Sequence, residues 1–214
     1  MLLGLTGGYC AGKNAAAALL EERGWTCIDV DGLGHEAIDQ AAEAIVARFG
    51  AAVIGPEGRV DRRALAAIVF SDRKALADQE AIVHPIAIEL LDERIARAGA
   101  AAASEGREAL VCVNAALLYI APQAARCDAI LELHAPLLAR LRRARARDGA
   151  SALAALRRIV RQRRLWRRRA SVGRPVVRVY NGGDRAALEN ALERALKKLN
   201  EVAGEANAAL IGQF

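Results

Sequence analysis

The chain has 214 residues, of which 54% are hydrophobic and 26% charged, so it can bury a sizeable core and does not resemble a disordered protein. Aromatic residues make up only 4%, which excludes a large base-stacking surface, and no apolar stretch reaches the roughly 20 residues that a membrane span needs. The formal net charge of +6 is concentrated between Arg140 and Arg169, where thirteen arginines accompany one acidic residue, Asp148, and this predicts a polyanionic partner.

The first elements in chain order are a strand, a glycine turn and a helix. The apolar run 2–6 predicts a buried strand that ends in Gly7-Gly8, and the alanine-rich segment 14–22 predicts a helix that Gly24 ends. A second β-prone run covers 26–30. Residues 33–103 have helical composition, and we expect breaks at Gly50, at 55–58 and at His84-Pro85.

The later part of the chain contains three more apolar runs. These predict strands over 109–113, 129–133 and 176–180, and leucines at helical spacing predict a last helix over 185–199. Strands that alternate with helices are typical of an α/β fold, in which helices cover both faces of a parallel sheet.

The glycine turn carries the clearest motif. Residues 7–14 read Gly-Gly-Tyr-Cys-Ala-Gly-Lys-Asn and match G-x-x-x-x-G-K between a predicted strand and helix. Such a loop directs backbone N–H groups and a helix N-terminus at phosphates, and Lys13 is expected between the β- and γ-phosphates. The alternative is a plain glycine turn with a surface lysine. We predict ATP binding by Gly8, Tyr9, Cys10, Ala11, Gly12, Lys13, Asn14 and Ala15.

Two aspartates lie at the end of the second predicted strand. Asp29 and Asp31 lie where a carboxylate at a strand end can orient an attacking hydroxyl or reach the water shell of a metal. The competing interpretation is a helix N-cap formed by Asp31.

Several further motifs follow in order along the chain and together resemble one family, the dephospho-coenzyme A kinases. They are Gly4-Leu5-Thr6-Gly7-Gly8 with Gly12-Lys13, Ile28-Asp29-Val30-Asp31, Phe49-Gly50, Gly58-Arg59-Val60-Asp61-Arg62 with Leu65 and Val69-Phe70, Glu80 with His84-Pro85, Leu117-Leu118-Tyr119, Arg147-Asp148, Arg158-Ile159 with Gln162, and Asn181 with Gly183. The phosphate loop alone indicates only nucleotide binding, whereas the block from Gly58 to the His-Pro pair is more specific.

The resemblance implies an α/β P-loop kinase fold over 1–214: a five-stranded parallel sheet flanked by helices, a helical acceptor-binding insertion over 32–103 and an arginine-rich lid over 140–170. It implies that ATP phosphorylates the ribose 3′-hydroxyl of dephospho-coenzyme A in a reaction that needs Mg²⁺. It also implies catalytic roles for Lys13, for Asp31 as the base, and for the lid residues Arg143 and Arg147.

Acceptor binding is expected from Asp29, Asp31, Asp61, Arg62 and His84. For Asp61 the competing interpretation is an N-cap, and for His84 a turn histidine. The arginine run has three interpretations: a phosphate clamp, a nucleic-acid surface or a solvated helix face. We favour the clamp, because only Trp166 interrupts the run and base stacking has little support.

The sequence departs from the family pattern at five positions, Cys10, Asn14, His35, Ile120 and Tyr180, where glycine, Ser or Thr, arginine, a carboxylate and Asp are usual. Asn14 can still offer a neutral oxygen to Mg²⁺, through a water in the expected arrangement. These departures keep two alternatives open: a catalytically weak nucleotide-binding protein, and a kinase of another nucleoside or nucleotide acceptor.

The cysteines Cys10, Cys27, Cys112 and Cys127 have no paired spacing, which is typical of free thiols in a reducing compartment. The apolar start, 1–6, has no basic region, so we expect no signal peptide. The sequence thus predicts a cytoplasmic protein with neither membrane nor nucleic-acid partners. It makes no prediction of the oligomeric state.

Overall fold

One parallel sheet forms the centre of the molecule in the structure, a computed structural model that describes residues 1–165 and 172–211. Its strands are β1 (Leu2–Gly7), β2 (Thr26–Asp29), β3 (Val111–Asn114), β4 (Ala129–His134) and β5 (Val176–Tyr180), in the order β2-β3-β1-β4-β5. The central strand β1 pairs in parallel with β3, where Leu2 lies opposite Val111, and with β4, where Leu3 lies opposite Ala129. The predicted five-stranded parallel sheet is confirmed.

The helices of the described residues are α1 (Lys13–Glu21), α2 (Val30–Gln40), α3 (Ala42–Phe49), α4 (Arg62–Ser71), α5 (Arg73–Ser104), α6 (Leu137–Asp148), α7 (Ala152–Leu165) and α8 (Arg185–Ile211). The chain divides into two compact units. The first comprises 1–28 and 102–214 and contains the sheet core; the second comprises 29–101. Among the described residues, no helix combines the length and hydrophobicity that would let it cross a membrane.

The core of the first unit is aliphatic, as the shortage of aromatic residues requires. The side chains of Leu3, Leu5 and Leu131 are fully buried, because a parallel sheet is covered by helices on both faces. Leu19 of α1 and Leu192 of α8 are fully buried in the same cluster. Each such side chain contributes about 1.5–3 kcal/mol of burial free energy, so this packing fixes the strand ends that carry the site.

The predicted helix break at His84-Pro85 is wrong. Helix α5 continues through this pair, with Pro85 inside it. A proline interrupts one backbone hydrogen bond and costs about 3 kcal/mol in a helix interior. The flanking turns offset that cost, since Val83, Leu90 and Leu91 of the same helix are all buried. The sequence signal for a break is therefore overridden by tertiary packing.

Candidate active site

The predicted phosphate loop connects the central strand to the first helix. Strand β1 ends at Gly7, α1 begins at Lys13, and the amide of Ala11 donates to the carbonyl of Gly8 at 2.8 Å. Gly12 is the N-cap of α1 in the left-handed conformation, with φ 101°, and no side chain caps the helix. The first amides of α1 are therefore not engaged by a capping side chain, and this is the arrangement that binds anions at a helix N-terminus.

Two glycines of the loop are required by the close approach of other side chains. A Cβ atom on Gly8 would lie 2.6 Å from Nη2 of Arg140, and a Cβ on Gly12 would lie 2.0 Å from Nδ2 of Asn181. Neither position has room for a larger residue unless these groups move. The glycine spacing of the motif therefore reflects packing of Arg140 and Asn181 against the loop.

Lys13 is held by a neutral amide from the neighbouring strand. Its Nζ donates to Oδ1 of Asn114 at 2.6 Å, and Asn114 is buried at the end of β3. The next residue, Asn14, and then Ala15 are exposed in the first turn of α1. Within the described residues, no group of three His, Cys, Asp or Glu side chains could hold a metal ion.

Helices α6 and α7, which belong to the predicted lid, contact the loop backbone directly. Nε of Arg140 donates to the carbonyl of Tyr9 at 2.7 Å. Gln162 of α7 accepts from the amide of Tyr9 at 2.5 Å and donates to the carbonyls of Gly7 and Ala116 at 3.0 and 3.1 Å. Both α6 and α7 are therefore docked on the phosphate loop.

Of the two predicted lid arginines, Arg143 contacts the loop backbone. Its guanidinium donates to Oδ1 of Asn181 at 3.1 Å and to the carbonyl of Ala11 at 3.5 Å. Asn181, which follows β5, donates to the same carbonyl at 2.9 Å. A cation of fixed orientation is thereby placed beside the start of α1.

Arg147 is engaged differently, since it forms a two-bond ion pair with its neighbour Asp148, at 2.8 and 2.9 Å. This bonding raises the pKa of Arg147 and holds the pKa of Asp148 well below its usual range. The Arg147 guanidinium also lies 5.3 Å from the ring centroid of Tyr9. The guanidinium of Arg147 thus contacts a side chain of the loop, the Tyr9 ring, whereas that of Arg143 contacts the loop backbone at Ala11. The remainder of the predicted lid, 166–170, lies outside the described residues.

The first acceptor candidates belong to the second unit and lie near the start of α2. Asp29 occupies the N-cap position without making a side-chain cap bond, and Asp31 is exposed in the first turn. The N-cap interpretation of Asp31 is therefore wrong, because Asp29 stands at that position. A role for Asp31 as the base stays a prediction.

The other acceptor candidates already have partners or lie on the surface. Asp61 accepts from the amides of Arg63 and Ala64 at 2.8 and 3.2 Å as the N-cap of α4, and Arg62 pairs with Asp39 at 2.7 Å. His84 is exposed within α5, so it is not a turn histidine. Their acceptor contacts stay predictions.

The remaining departures from the family pattern are exposed residues. His35 lies on α2, Ile120 is 41% exposed, and Tyr180 at the end of β5 is 65% exposed, with its ring 5.5 Å from that of His134.

Sequence reasoning assigned no role to four residues that the structure brings to the loop: Asn114, Arg140, Gln162 and Asn181. A signal existed for Asn114 and Asn181, because each follows an apolar strand, and the ends of parallel strands meet at one edge of the sheet. Gln162 and Asn181 also belong to the motifs of the resemblance.

Comparison with known proteins points to one family. A family model described as dephospho-CoA kinase matches residues 1–178. A dephospho-CoA kinase of Geobacter sulfurreducens is 34% identical over 203 residues, which cover 92% of this chain and 98% of that protein. A crystal structure from Thermus thermophilus, 35% identical, superposes with a TM-score of 0.75 over 93% of this chain and 97% of its own. A dephospho-CoA kinase from Campylobacter jejuni, 20% identical, has a TM-score of 0.63 over 96% and 98% of the two chains and shows the shared fold.

Proposed function

The chain belongs to the dephospho-CoA kinase family, and from this premise we propose that it transfers the γ-phosphoryl group of ATP to the ribose 3′-hydroxyl of dephospho-CoA, giving CoA and ADP. The observation that carries the proposal is the phosphate loop with Lys13 at the start of α1 and two lid helices docked on it. This arrangement collects backbone N–H groups and cations where the triphosphate charge must be offset.

Each charged residue then has one task. The loop amides and Lys13 bind the β- and γ-phosphates, with Lys13 transferring its hydrogen bond from Asn114 to the phosphate oxygens. Asp31 accepts the proton of the attacking hydroxyl. Arg143 and Arg147 offset charge on the transferring group, and the planar guanidinium suits phosphate oxygens.

The residues present fit a magnesium ion that arrives with the nucleotide. Mg²⁺ keeps several waters and binds proteins through few groups plus substrate phosphates, so the lack of a carboxylate cluster among the described residues is compatible with it. The exposed carboxamide of Asn14 would hold the ion through a water. When bound, Mg²⁺ neutralises charge between the β- and γ-phosphates.

Acceptor contacts are proposed for Asp29, Asp61, Arg62 and His84, because these positions match the motifs of the family. The proposed location is the cytoplasm, on the ground that all four cysteines are free thiols.

A coupled assay of ADP release tests the function, with dephospho-CoA, adenosine and AMP as alternative acceptors. We expect turnover with dephospho-CoA only. Turnover with adenosine or AMP but not dephospho-CoA would identify a kinase of another acceptor, and ATP binding without turnover would identify a weak nucleotide-binding protein.

Two variants test the roles within the site. Lys13→Ala should lower turnover by about 100-fold or more, because a preorganised electrostatic contact is lost. Asp31→Asn should keep ATP binding and lose turnover. Lys197→Ala, an exposed lysine of α8, serves as the matched control. Near-normal turnover of Asp31→Asn would show that Asp31 is not the base.

A further inference from the structure

Tyr9 of the phosphate loop is bonded to the lid through its backbone and its side chain. Its amide donates to Gln162 at 2.5 Å, and its carbonyl accepts from Arg140 at 2.7 Å. Its hydroxyl donates to Oδ2 of Asp148 and accepts from Nη1 of Arg158 at 2.9 Å. The partners come from both lid helices, so this one residue is a common attachment point for α6 and α7.

The ring of Tyr9 adds a second kind of contact. The guanidinium carbons of Arg147 and Arg158 lie 5.3 and 5.4 Å from the ring centroid, within the range of cation–π attraction. Arg158 also approaches Asp148 at 3.4 Å. We call these four residues, Tyr9, Arg147, Asp148 and Arg158, the Tyr9 cluster.

Tyr9 adds attraction to a cluster in which cations outnumber anions. The single carboxylate of Asp148 faces two guanidiniums, and the ring and hydroxyl of Tyr9 supply the remaining attraction between them. Burial and the hydrogen bond to Asp148 raise the pKa of Tyr9, so the hydroxyl stays protonated and continues to donate. An aliphatic residue here would offer neither a ring face nor a donor.

We propose that Tyr9 is a positioning residue that docks the lid on the phosphate loop and thereby orients the lid arginines toward the transferring phosphoryl group. The arginine part of this statement rests on the proposed function. The docking part does not, because the contacts are present without any substrate.

Hydrogen exchange of the ligand-free protein tests docking alone. Tyr9→Leu removes the ring and the hydroxyl. We expect amide exchange in α6 and α7 to accelerate about tenfold, because two cation–π contacts are lost. Exchange in β1 and β4 should not change. The control is Leu138→Ala, since Leu138 is 80% exposed on α6 and should leave lid exchange as it is in the unaltered protein.

Kinetics test the orienting role. Tyr9→Leu should lower kcat for dephospho-CoA about tenfold, while the Kd for ATP stays within threefold because the loop amides and Lys13 remain. Tyr9→Phe keeps the ring between the two guanidiniums and should restore kcat to within threefold of the unaltered protein. A general loss of folding would lower the melting temperature and would not produce this division between kcat and Kd.

The two claims fail in different ways. If Tyr9→Leu left lid exchange within twofold of the unaltered protein, docking by Tyr9 would be wrong whatever the reaction is. If Tyr9→Leu accelerated lid exchange but left kcat unchanged, the orienting role would be wrong. Suppose that the unaltered protein does not phosphorylate dephospho-CoA, while Tyr9→Leu still accelerates amide exchange in α6 and α7. The proposed function would then be wrong, and docking by Tyr9 would stand.

Discussion

Cys10 shows how one residue can depart from a family pattern at a definite physical cost. Its φ of 57° makes it the only non-glycine residue with positive φ among the described residues. Residues other than glycine lose about 1–2 kcal/mol in this left-handed conformation. The glycine that is usual at this position is therefore explained by backbone geometry.

Substitutions at Cys10 should follow that geometry. Cys10→Gly should raise the free energy of unfolding by about 0.5–1 kcal/mol, since the relief of strain exceeds the added flexibility of the unfolded chain. Cys10→Val should lower it by about 1 kcal/mol or more, because a β-branched residue tolerates positive φ poorly. Guanidinium unfolding of both variants measures the difference. Equal stability of the two would show that the loop relaxes around either residue.

Asn14 supports a prediction about metal dependence. With a water between its carboxamide and Mg²⁺, Asn14→Ser should lower the Mg²⁺ concentration for half-maximal rate, because a hydroxyl can coordinate directly. Asn14→Ala should raise it about threefold without abolishing turnover, since a water already fills the coordination position. Rates measured across a Mg²⁺ series give both values, with the exposed Asn190→Ser on α8 as the control. Loss of activity in Asn14→Ser would indicate direct coordination by the carboxamide.

The sequence predicted the structure around residues whose motif is local. It did not predict side-chain contacts between elements that lie far apart in the chain. The spacing around Lys13 predicts a strand, a loop and a helix, and the structure contains all three. Nothing in the apolar run 129–133 shows that Glu132 is buried and bonded to Tyr119 and to His134. Contacts of this kind depend on which strands become neighbours, which the sequence pattern does not state.

At the scale of elements, the apolar runs give the strands and the hydrophobic spacing gives the helices. The strand ends shift by at most two residues: β3, for example, begins at Val111 and not at 109. The helix ends shift further, because α2 begins at Val30 and not at 33, and α8 runs to Ile211 and not to 199. The larger error is at Pro85, where a local rule competes with the burial of a 32-residue helix. The free energy of burial outweighs the cost of the proline, because side chains along many turns of α5 contribute to it.

Pro85 should therefore be a site where stability can be gained. Pro85→Ala restores an amide in the interior of α5 and should raise the free energy of unfolding by about 2 kcal/mol, after allowance for the more flexible unfolded chain. Glu89→Ala, four residues further along and exposed, should change it by less than about 0.5 kcal/mol. Unfolding in guanidinium measures both. No gain in Pro85→Ala would mean that the helix has already adjusted to the ring.

At the scale of the whole molecule, alternation of strands and helices was enough to predict the parallel sheet, because parallel strands require helical crossovers. The folded chain is divided into two compact units, and residues 29–101 interrupt the first. The sequence marks the first boundary, because the β-prone run 26–30 gives way there to helical composition. It does not mark the second, because both sides of the boundary between 101 and 102 belong to α5.

The two units should differ in local stability. Native-state hydrogen exchange in rising guanidinium should give one group of amides for β1 and β4 and a second group for α2 to α4. Leu5→Ala, a fully buried site of the first unit, should lower the opening free energy of the first group by about 2–5 kcal/mol and leave the second unchanged. Ile45→Ala, fully buried in the second unit, should do the reverse. A single group that responds to both variants would contradict independent opening.

The strand order has a consequence for synthesis of the protein. Of the five strands, the central one leaves the ribosome first, yet its partners begin at Val111 and Ala129. At about 5–20 residues per second, β1 waits about 5–20 s for β3, with its backbone and apolar side chains not yet packed. The phosphate loop waits longer, because Asn181, which holds its backbone, follows the last strand. The phosphate loop therefore leaves the ribosome with the first of the five strands, but Asn181 can hold it only after the last of them has been made.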